Sequence, residues 1–175
     1  MRPPYNVLFL CTGNSSRSIL AEAILNHRGA PNFHAFSAGS HPAGYIHPFA
    51  LRRLEAAGLG ANGMRSKSWD EFAQPGAPQM DFVFTVCDNA AREICPVWPG
   101  QPMTAHWGMP DPGWAGETDE ALERAFHEAF VTLDRRIGLL LSLPLASLET
   151  LAIRDTLERI GREPGPFSGG SGASR

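Results

Sequence analysis

A cysteine and an arginine separated by five residues are the most informative chemistry-bearing feature of the sequence. Residues 11–18 read CTGNSSRS and join an apolar run to the start of a predicted helix. A loop in that position can wrap its backbone N–H groups around a tetrahedral oxyanion, and the helix N-terminus adds positive potential. The same field favours a thiolate, so we expect Cys11 to be a nucleophile with a depressed pKa. Arg17 offers a planar fork for two anion oxygens, and Ser18 can donate a hydrogen bond to the sulfur.

The other residues of this segment suit a cradle of backbone groups. Gly13 and Asn14 tolerate the left-handed conformation that such a loop requires. Gly13 is not followed by the Gly-Lys-Ser/Thr ending of a nucleotide-binding loop, which argues against that motif. The alternative is a buried structural cysteine followed by a polar turn, but the whole string between a strand and a helix favours an oxyanion site. The candidate oxyanion-binding residues are Thr12, Gly13, Asn14, Ser15, Ser16, Arg17 and Ser18.

Two further cysteines, Cys87 and Cys95, follow a later apolar run with seven residues between them. On a regular helix their eight steps would rise roughly 12 Å, whereas a disulfide needs Cα atoms within about 7 Å. The pair could therefore form a disulfide only if the intervening segment unwinds or loops out. A zinc site is weakly supported, because no second cysteine pair has zinc spacing and the six histidines are scattered. Two buried, inert cysteines remain an alternative from spacing alone.

Asp111 lies between Pro110 and Pro112, which stiffen its loop and hold one carboxyl where it can give or take a proton. In isolation, an acidic residue in a turn is the simpler interpretation. However, Cys11, Cys87 and Asp111 follow the first, third and fourth predicted strands. Because ligands bind beyond the carboxyl ends of strands in open parallel sheets, we expect all three side chains at one edge of the sheet.

The elements that must position these residues alternate between strands and helices. Short apolar runs predict strands at 6–11, 33–38, 82–87 and 103–107. Periodic apolar residues predict helices at 16–27, 47–57 and 119–141, with a short helix at 66–72. In the first helix, one stripe is formed by Leu20, Ala23, Ile24 and His27. This alternation is typical of an α/β fold with a parallel sheet covered on both faces.

The C-terminal part of the sequence predicts an extension to this fold. Beyond Pro144, Ser147 is expected to cap an amphipathic helix, and the residues after Pro164 are rich in Gly and Ser, which favours disorder. We therefore divide the chain into a domain at 1–143, a helical extension at 144–163 and a disordered tail at 164–175. The apolar positions of the extension are Leu148, Leu151, Ala152, Leu157 and Ile160.

Length and composition narrow the class of protein. The 175 residues suit one domain, and 15 basic against 18 acidic residues give a net charge of −3, which argues against nucleic-acid binding. Three cysteines cannot form a closed disulfide framework, and the apolar runs are too short for a signal peptide or a membrane span. We therefore expect a soluble, cytoplasmic protein. Lys67 is the only lysine.

These residues resemble the anion loop of low-molecular-weight protein tyrosine phosphatases and their arsenate reductase relatives. The likeness is carried by residues 7–18, followed by Ala21 and Glu22, and it extends over roughly residues 6–141. Residues 85–88 (TVCD) with Cys95, and residues 106–108 (HWG) leading to Asp111, favour the reductase branch. The resemblance implies a flavodoxin-like, three-layer sandwich around a four-stranded parallel sheet. It also implies a cytoplasmic oxidoreductase of arsenical resistance and detoxification.

The resemblance further implies a relay of three thiols. Cys11 would attack arsenate, with Arg17 and the loop amides holding the oxygens and Asp111 protonating the departing hydroxyl. Cys87 would attack Cys11 and release arsenite, and Cys95 would then attack Cys87. The resulting Cys87–Cys95 disulfide would be reduced by thioredoxin, glutaredoxin or a low-molecular-weight thiol. Two thiols supply the two electrons of the reduction, and the third exports the oxidised state.

The sequence departs from the family pattern in its loop and beside it. Ser16 stands where many relatives carry another cysteine, which should not affect the relay. Some members bind potassium beside the loop, and Asn14, Glu22 and Ser37 match that site. Residues 63–69 contain no carboxylate to complete it, so we expect no bound cofactor or metal.

Two other functions compete with arsenate reduction. A phosphotyrosine phosphatase would use Cys11, Arg17 and Asp111, but that branch usually has aromatic residues directly after the Asp-Pro pair. Here Gly113 follows, with Trp114 only afterwards, and the cysteine pair would be unexplained. A non-enzymatic oxyanion or redox sensor would keep the loop and the thiols without fast turnover, which steady-state kinetics would reveal.

Overall fold

The computed structural model describes residues 3–87 and 98–165, and within them it contains a four-stranded parallel sheet. The strand order is β2-β1-β3-β4, so the first strand is central. In the register, Cys11 pairs with Gly39 and Leu10 with Thr85. The predicted parallel sheet is thereby confirmed. The strands are β1 (Tyr5–Cys11), β2 (Phe33–Gly39), β3 (Phe82–Thr85) and β4 (Met103–His106).

The buried apolar side chains of the four described α-helices belong to one core cluster on one face of the sheet, and the 3₁₀ turn Trp69–Phe72 packs on the opposite face. The long helix of the sequence has its predicted bounds, because Thr118 caps its first turn by accepting a hydrogen bond from Ala121 N. Short 3₁₀ helices occupy Trp69–Phe72, Pro112–Trp114 and Leu145–Ser147. The α-helices are α1 (Arg17–Gly29), α2 (Pro48–Ala56), α3 (Asp119–Leu141) and α4 (Thr150–Gly161).

The core has two parts because both faces of β1 are buried. Phe9 belongs to the larger cluster, which includes Trp107 stacked on Phe84 with ring centroids 4.2 Å apart. Leu8 and Leu10 belong to a smaller cluster on the opposite face, with Trp69, Phe72 and Trp98 among its members. Alternating residues of one strand therefore anchor the three layers of the sandwich.

Three local expectations differ from the structure. His27 is exposed, because the buried stripe of α1 runs through Ile19 and Leu25 besides the predicted apolar residues. The short helix predicted at 66–72 is a single 3₁₀ turn, Trp69–Phe72, capped by Ser68. The third and fourth strands end at Thr85 and His106, slightly before their predicted ends.

The C-terminal helix is present, but it begins later than expected. Ser147 does not cap it: this residue ends a 3₁₀ turn and its hydroxyl donates to Pro144 O at 3.1 Å. Leu151 is 67% exposed, and Ile153 takes the buried position instead. The division at residue 144 stays a prediction. The tail at 166–175 lies outside the described residues, whereas residues 164 and 165 are described.

Helix α4 packs directly on β4 and on the loop that follows it. Trp107 Nε1 donates to Leu157 O at 3.0 Å, across the interface between strand and helix. Arg136 is buried on α3, and its guanidinium donates to Trp107 O at 2.8 Å and to Glu163 O at 3.1 Å. The extension is thus part of the same core. In the described ranges, no helix combines the length and apolarity needed to cross a membrane.

Candidate active site

The anion loop, residues 11–18, is held in shape by hydrogen bonds to its carbonyl oxygens. Three backbone N–H groups of residues 41–47 donate to the oxygens of Thr12, Gly13 and Ser15, each at 2.9 Å. The C=O and N–H groups of a trans peptide point in opposite directions. The N–H groups that follow these carbonyls therefore face the other side of the loop, where an oxyanion can bind.

The N-terminus of α1 and the Arg17 side chain add positive potential to this side. Ser16 is the N-cap of α1 but makes no side-chain capping bond, and the first turn contains no acidic residue. The helix dipole is therefore available to a bound anion. Arg17 Nη1 donates to Met109 O at 2.8 Å. Arg17 Nε is buried and has no partner among the described residues, so it can still donate to a ligand.

Two thiols meet at the start of the loop. Cys11 and Cys87 are 5% and 3% exposed, and their side chains share a hydrogen bond. Thr12 N also donates to Cys87 Sγ at 3.3 Å. The hydrogen bond with Cys87 and burial raise the pKa of Cys11, while Arg17 and the Thr12 backbone lower it, and the net direction is upward. The prediction that the pKa of Cys11 is depressed is therefore wrong for this arrangement, because the hydrogen bond with Cys87 and burial outweigh the effects of Arg17 and the Thr12 backbone.

Asp111 reaches the same edge of the sheet from the loop after β4. Its Oδ1 accepts a hydrogen bond from Gly113 N at 2.9 Å, and its Oδ2 lies 3.5 Å from Arg17 Nη2. The carboxyl is about one-third exposed, so protons can exchange with solvent. Trp114, three residues further, is 87% exposed. The structure thus brings together Cys11, Arg17, Cys87 and Asp111, as the positions after the strands suggest.

Behind the loop, Asn14 is the residue that takes a left-handed conformation, with φ +46°. Its Nδ2 donates to the hydroxyls of Ser18 and Ser37, each at 2.9 Å, and its Oδ1 accepts from Lys67 N at 2.9 Å. Ser18 Oγ accepts from Asn14. A hydroxyl that accepts one hydrogen bond can still donate another, so the predicted bond from Ser18 to the sulfur of Cys11 stays a prediction. The amide side chain of Asn14 therefore bonds within the loop and fastens it to two other parts of the chain, at Ser37 and Lys67.

Two buried charges complete this network. Ser37 Oγ accepts from Lys67 Nζ at 3.4 Å and donates to Glu22 Oε2 at 3.1 Å. Lys67 is 8% exposed and Glu22 is 9% exposed. Burial raises the pKa of Glu22 and lowers the pKa of Lys67, and the charge of each residue opposes the shift of the other.

Lys67 is the site residue that our sequence analysis did not single out. Its only signal in the sequence is that no other lysine occurs in the chain. Asn14, Glu22 and Ser37 do come together, as the resemblance to potassium-binding members implies, and the ammonium of Lys67 bonds to the same group of side chains. Within residues 3–87 and 98–165, no cluster of three or more His, Cys, Asp or Glu could hold a metal ion.

Cys95, the third predicted thiol, lies outside the described residues. The segment between Cys87 and Cys95 lies outside them as well. The expectation that this segment must unwind or loop out for a Cys87–Cys95 disulfide therefore stays a prediction. The structure places all other predicted site residues around one loop.

Fold and site together define a cysteine-based oxyanion enzyme, and comparison with known proteins supplies the family. Residues 6–151 match the family model described as low molecular weight phosphotyrosine protein phosphatase. The chain belongs to this family, which confirms the resemblance seen in the sequence.

Similar curated and solved proteins include both branches of the family. The arsenate reductase of Halalkalibacterium halodurans is 32% identical over 131 residues, covering 75% of this chain and 91% of that protein. An arsenate reductase solved in a phosphate-binding state is 25% identical with a TM-score of 0.62, over 79% of this chain and 97% of the other. A low molecular weight protein tyrosine phosphatase from T. tengcongensis is also 25% identical, with a TM-score of 0.59 over 77% and 98% of the two chains.

A thioredoxin-dependent arsenate reductase from Corynebacterium glutamicum has a similar fold. It is 28% identical with a TM-score of 0.55, over 79% of this chain and 60% of that chain. The backbone fold is thus shared by reductases and phosphatases. The choice between the two activities depends on the side chains of the site.

Proposed function

We propose that this protein is an arsenate reductase that uses Cys11 as nucleophile and Cys87 as the first resolving thiol. The observation that carries the proposal is the contact of two buried thiols at the anion loop, where Cys87 bonds to both Cys11 and Thr12 N. A hydrolytic phosphatase needs one nucleophilic sulfur and a water molecule, whereas reduction of arsenic(V) needs a second thiol beside the first. The similar curated proteins that carry the name arsenate reductase support the same activity.

The first step is substitution at arsenic. Arsenate binds to the loop N–H groups and to Arg17, and one of its oxygens takes the proton of Cys11. The sulfur then forms a bond to arsenic while one As–O bond breaks, and Asp111 donates the proton that lets this oxygen leave as water. No electrons change hands in this step, so the adduct still contains arsenic(V).

The second step is the reduction. Cys87 loses its proton to an arsenic-bound oxygen, and its sulfur attacks the sulfur of Cys11. The S–As electron pair stays on arsenic, which leaves as arsenite containing arsenic(III), and the two sulfurs become a Cys11–Cys87 disulfide. Because the two side chains are already in hydrogen-bond contact, little movement is needed to form this bond.

The third step regenerates the nucleophile. Cys95 attacks Cys87, which releases the Cys11 thiolate and leaves a Cys87–Cys95 disulfide for an external dithiol to reduce. Thioredoxin is our preferred reductant, since a similar solved protein is described as thioredoxin-dependent. The Cys11–Cys87 bond would form at a site that is almost closed to solvent, and this explains why a third thiol is needed to carry the oxidation outward.

The alternative is a phosphotyrosine phosphatase, which the fold and the exposed Trp114 near Asp111 would also suit. In that case Cys87 serves only as a hydrogen-bond partner of the loop. The experiment that separates the two functions is the Cys87→Ser variant, assayed for arsenate turnover with thioredoxin, thioredoxin reductase and NADPH and for hydrolysis of p-nitrophenyl phosphate.

We expect Cys87→Ser to abolish multiple turnover with arsenate and to leave hydrolysis near the wild-type rate, because water resolves the phosphoryl adduct.

Cys95→Ser should stop after one turnover with a Cys11–Cys87 disulfide, seen as a loss of two hydrogens in the intact mass. Cys11→Ser is the control that loses both activities. Wild-type arsenate kinetics in both resolving-thiol variants would overturn the relay, and hydrolysis without arsenate turnover in the wild type would assign the protein to the phosphatases. A single oxidation by arsenate without turnover in the wild type would identify a sensor.

A further inference from the structure

Lys67 is a buried cation that no step of the proposed reaction uses. Burial of an ammonium is costly unless its donors are paired and an opposite charge is near. Two of its donors are paired, one to Ser37 Oγ at 3.4 Å and one to Arg65 O at 2.9 Å. The carboxylate of Glu22 lies on the far side of the same hydroxyl. The ammonium of Lys67 is thus held by two hydrogen bonds close to a buried carboxylate.

The Ser37 hydroxyl fixes the direction of the hydrogen bonds. An ammonium and an amide NH₂ group can only donate, so Ser37 accepts from both Lys67 and Asn14. Its own hydrogen must then point to Glu22, which accepts it. The loop residue with φ +46°, the buried cation and the buried carboxylate are therefore connected through a single oxygen atom.

We propose that Lys67 is a positioning residue of the anion loop, whose ammonium balances the buried charge of Glu22 so that the loop can hold a dianion. Without Lys67, the negative charge of Glu22 would lie behind a loop that must bind a doubly charged ligand. The side chain acts through Ser37 and Asn14 and does not contact the substrate. The inference rests on the proposed function only in naming arsenate as the ligand, because any tetrahedral oxyanion would experience the same field.

Neighbouring charges do not replace Lys67 in this role. Arg65 is exposed and pairs with both oxygens of Glu71, at 2.9 and 2.7 Å. Its charge faces solvent, where pairs of this kind are strongly screened. Arg65→Met is therefore a matched control, since it removes a positive charge two residues away without touching the buried network.

The test is the affinity for inorganic phosphate, measured by isothermal titration calorimetry on the full chain. We expect Lys67→Met to weaken phosphate binding about tenfold, because a buried carboxylate is left uncompensated near the anion. Lys67→Arg keeps the charge and should restore most of the affinity. The double variant Glu22→Gln/Lys67→Met should bind phosphate within about threefold of the wild type, and Arg65→Met should change little. In the arsenate assay, Lys67→Met should raise KM more than it lowers kcat.

Phosphate binding at wild-type affinity in Lys67→Met would overturn the proposal. So would a double variant that binds as weakly as the single one, because lost packing would then explain the effect. If Lys67→Met does not fold, Glu22→Gln decides: it keeps the cation and should bind phosphate at least as tightly as the wild type, and tenfold weaker binding would contradict the proposal. Because phosphate is bound without being reduced, these outcomes are independent of whether the protein reduces arsenate.

Discussion

The proton of Cys11 is under opposing influences at the residue scale. Arg17 and the Thr12 backbone favour the thiolate, while the hydrogen bond with Cys87 and burial favour the thiol more strongly. Together, these influences favour the thiol form of Cys11, and a thiol is oxidised and bound by metals less readily than a thiolate. In the proposed reaction, the arsenate dianion supplies the base that takes the proton of Cys11.

This balance predicts how fast Cys11 is alkylated at different pH values. Because its pKa lies above that of an ordinary cysteine, the wild type should require a higher pH than a free thiol for half-maximal reactivity. Cys87→Ala removes the largest upward cause, so its profile should move to lower pH. The measurement is iodoacetamide labelling followed by peptide mass spectrometry, with Cys95→Ser in both backgrounds. A Cys87→Ala profile that superimposes on the wild type would show that the shared hydrogen bond does not control the proton.

Residue types and spacing predicted that Cys11, Cys87 and Asp111 lie at one edge of the sheet, because each follows a strand of a parallel sheet, and that Arg17 lies in the loop with Cys11. They could not predict the direction in which the pKa of Cys11 is shifted, because it depends on its hydrogen bond with Cys87, which follows β3. Lys67 was missed for the same reason: its partners Glu22 and Ser37 are far away in sequence, and a single lysine has no periodicity.

Helix α4 shows, at the scale of an element, how an added segment becomes part of a core. Ile153, Leu157 and Ile160 are buried, and the backbone oxygen of Leu157 accepts the indole N–H of Trp107. Apolar spacing predicted this helix, but it could not show that Leu151 faces solvent. That choice is made by the rotation of the helix against β4, which places Ile153, Leu157 and Ile160 in the core.

The buried and exposed leucines of α4 give a matched pair of variants. Leu157 is fully buried, so Leu157→Ala should lower the free energy of unfolding by about 2–5 kcal/mol. Leu151→Ala, on the same helix but 67% exposed, should change it by less than about 0.5 kcal/mol. Urea denaturation followed by circular dichroism measures both. Equal effects of the two substitutions would mean that α4 does not dock on the sheet through Leu157.

Across the whole molecule, Asp111 and the last described residues of the chain line the same cavity. A cavity of about 730 Å³ lies beside Asp111, between α3 and residues 161–165. The contacts of Cys11, Arg17, Cys87 and Asp111 described above do not involve residues beyond 161, although Glu163 bonds to Arg135 and Arg136. These contacts of the four site residues therefore lie within residues 11–113, and residues 161–165 line the cavity beside Asp111.

We expect a chain shortened after Gly161 to keep its activity within about twofold, since the anchoring leucine and isoleucines of α4 remain. Shortening after Ser147 removes α4, uncovers Trp107 and should lower the melting temperature markedly. Thermal unfolding and steady-state arsenate kinetics on both chains provide the comparison. A large loss of activity in the longer chain would assign the last residues to the site or to assembly.

The contrast between Trp114 and the other three tryptophans has a spectroscopic consequence. Trp69, Trp98 and Trp107 are at most 8% exposed. Trp114, at the end of the 3₁₀ turn that follows Asp111, is 87% exposed. Emission at the red edge of the fluorescence spectrum, and quenching by iodide, should therefore come mainly from this one indole. Trp114 is thus a natural fluorescent reporter three residues from Asp111, the proposed general acid. A reductant that docks over this loop should shift that emission to shorter wavelength and shield it from iodide.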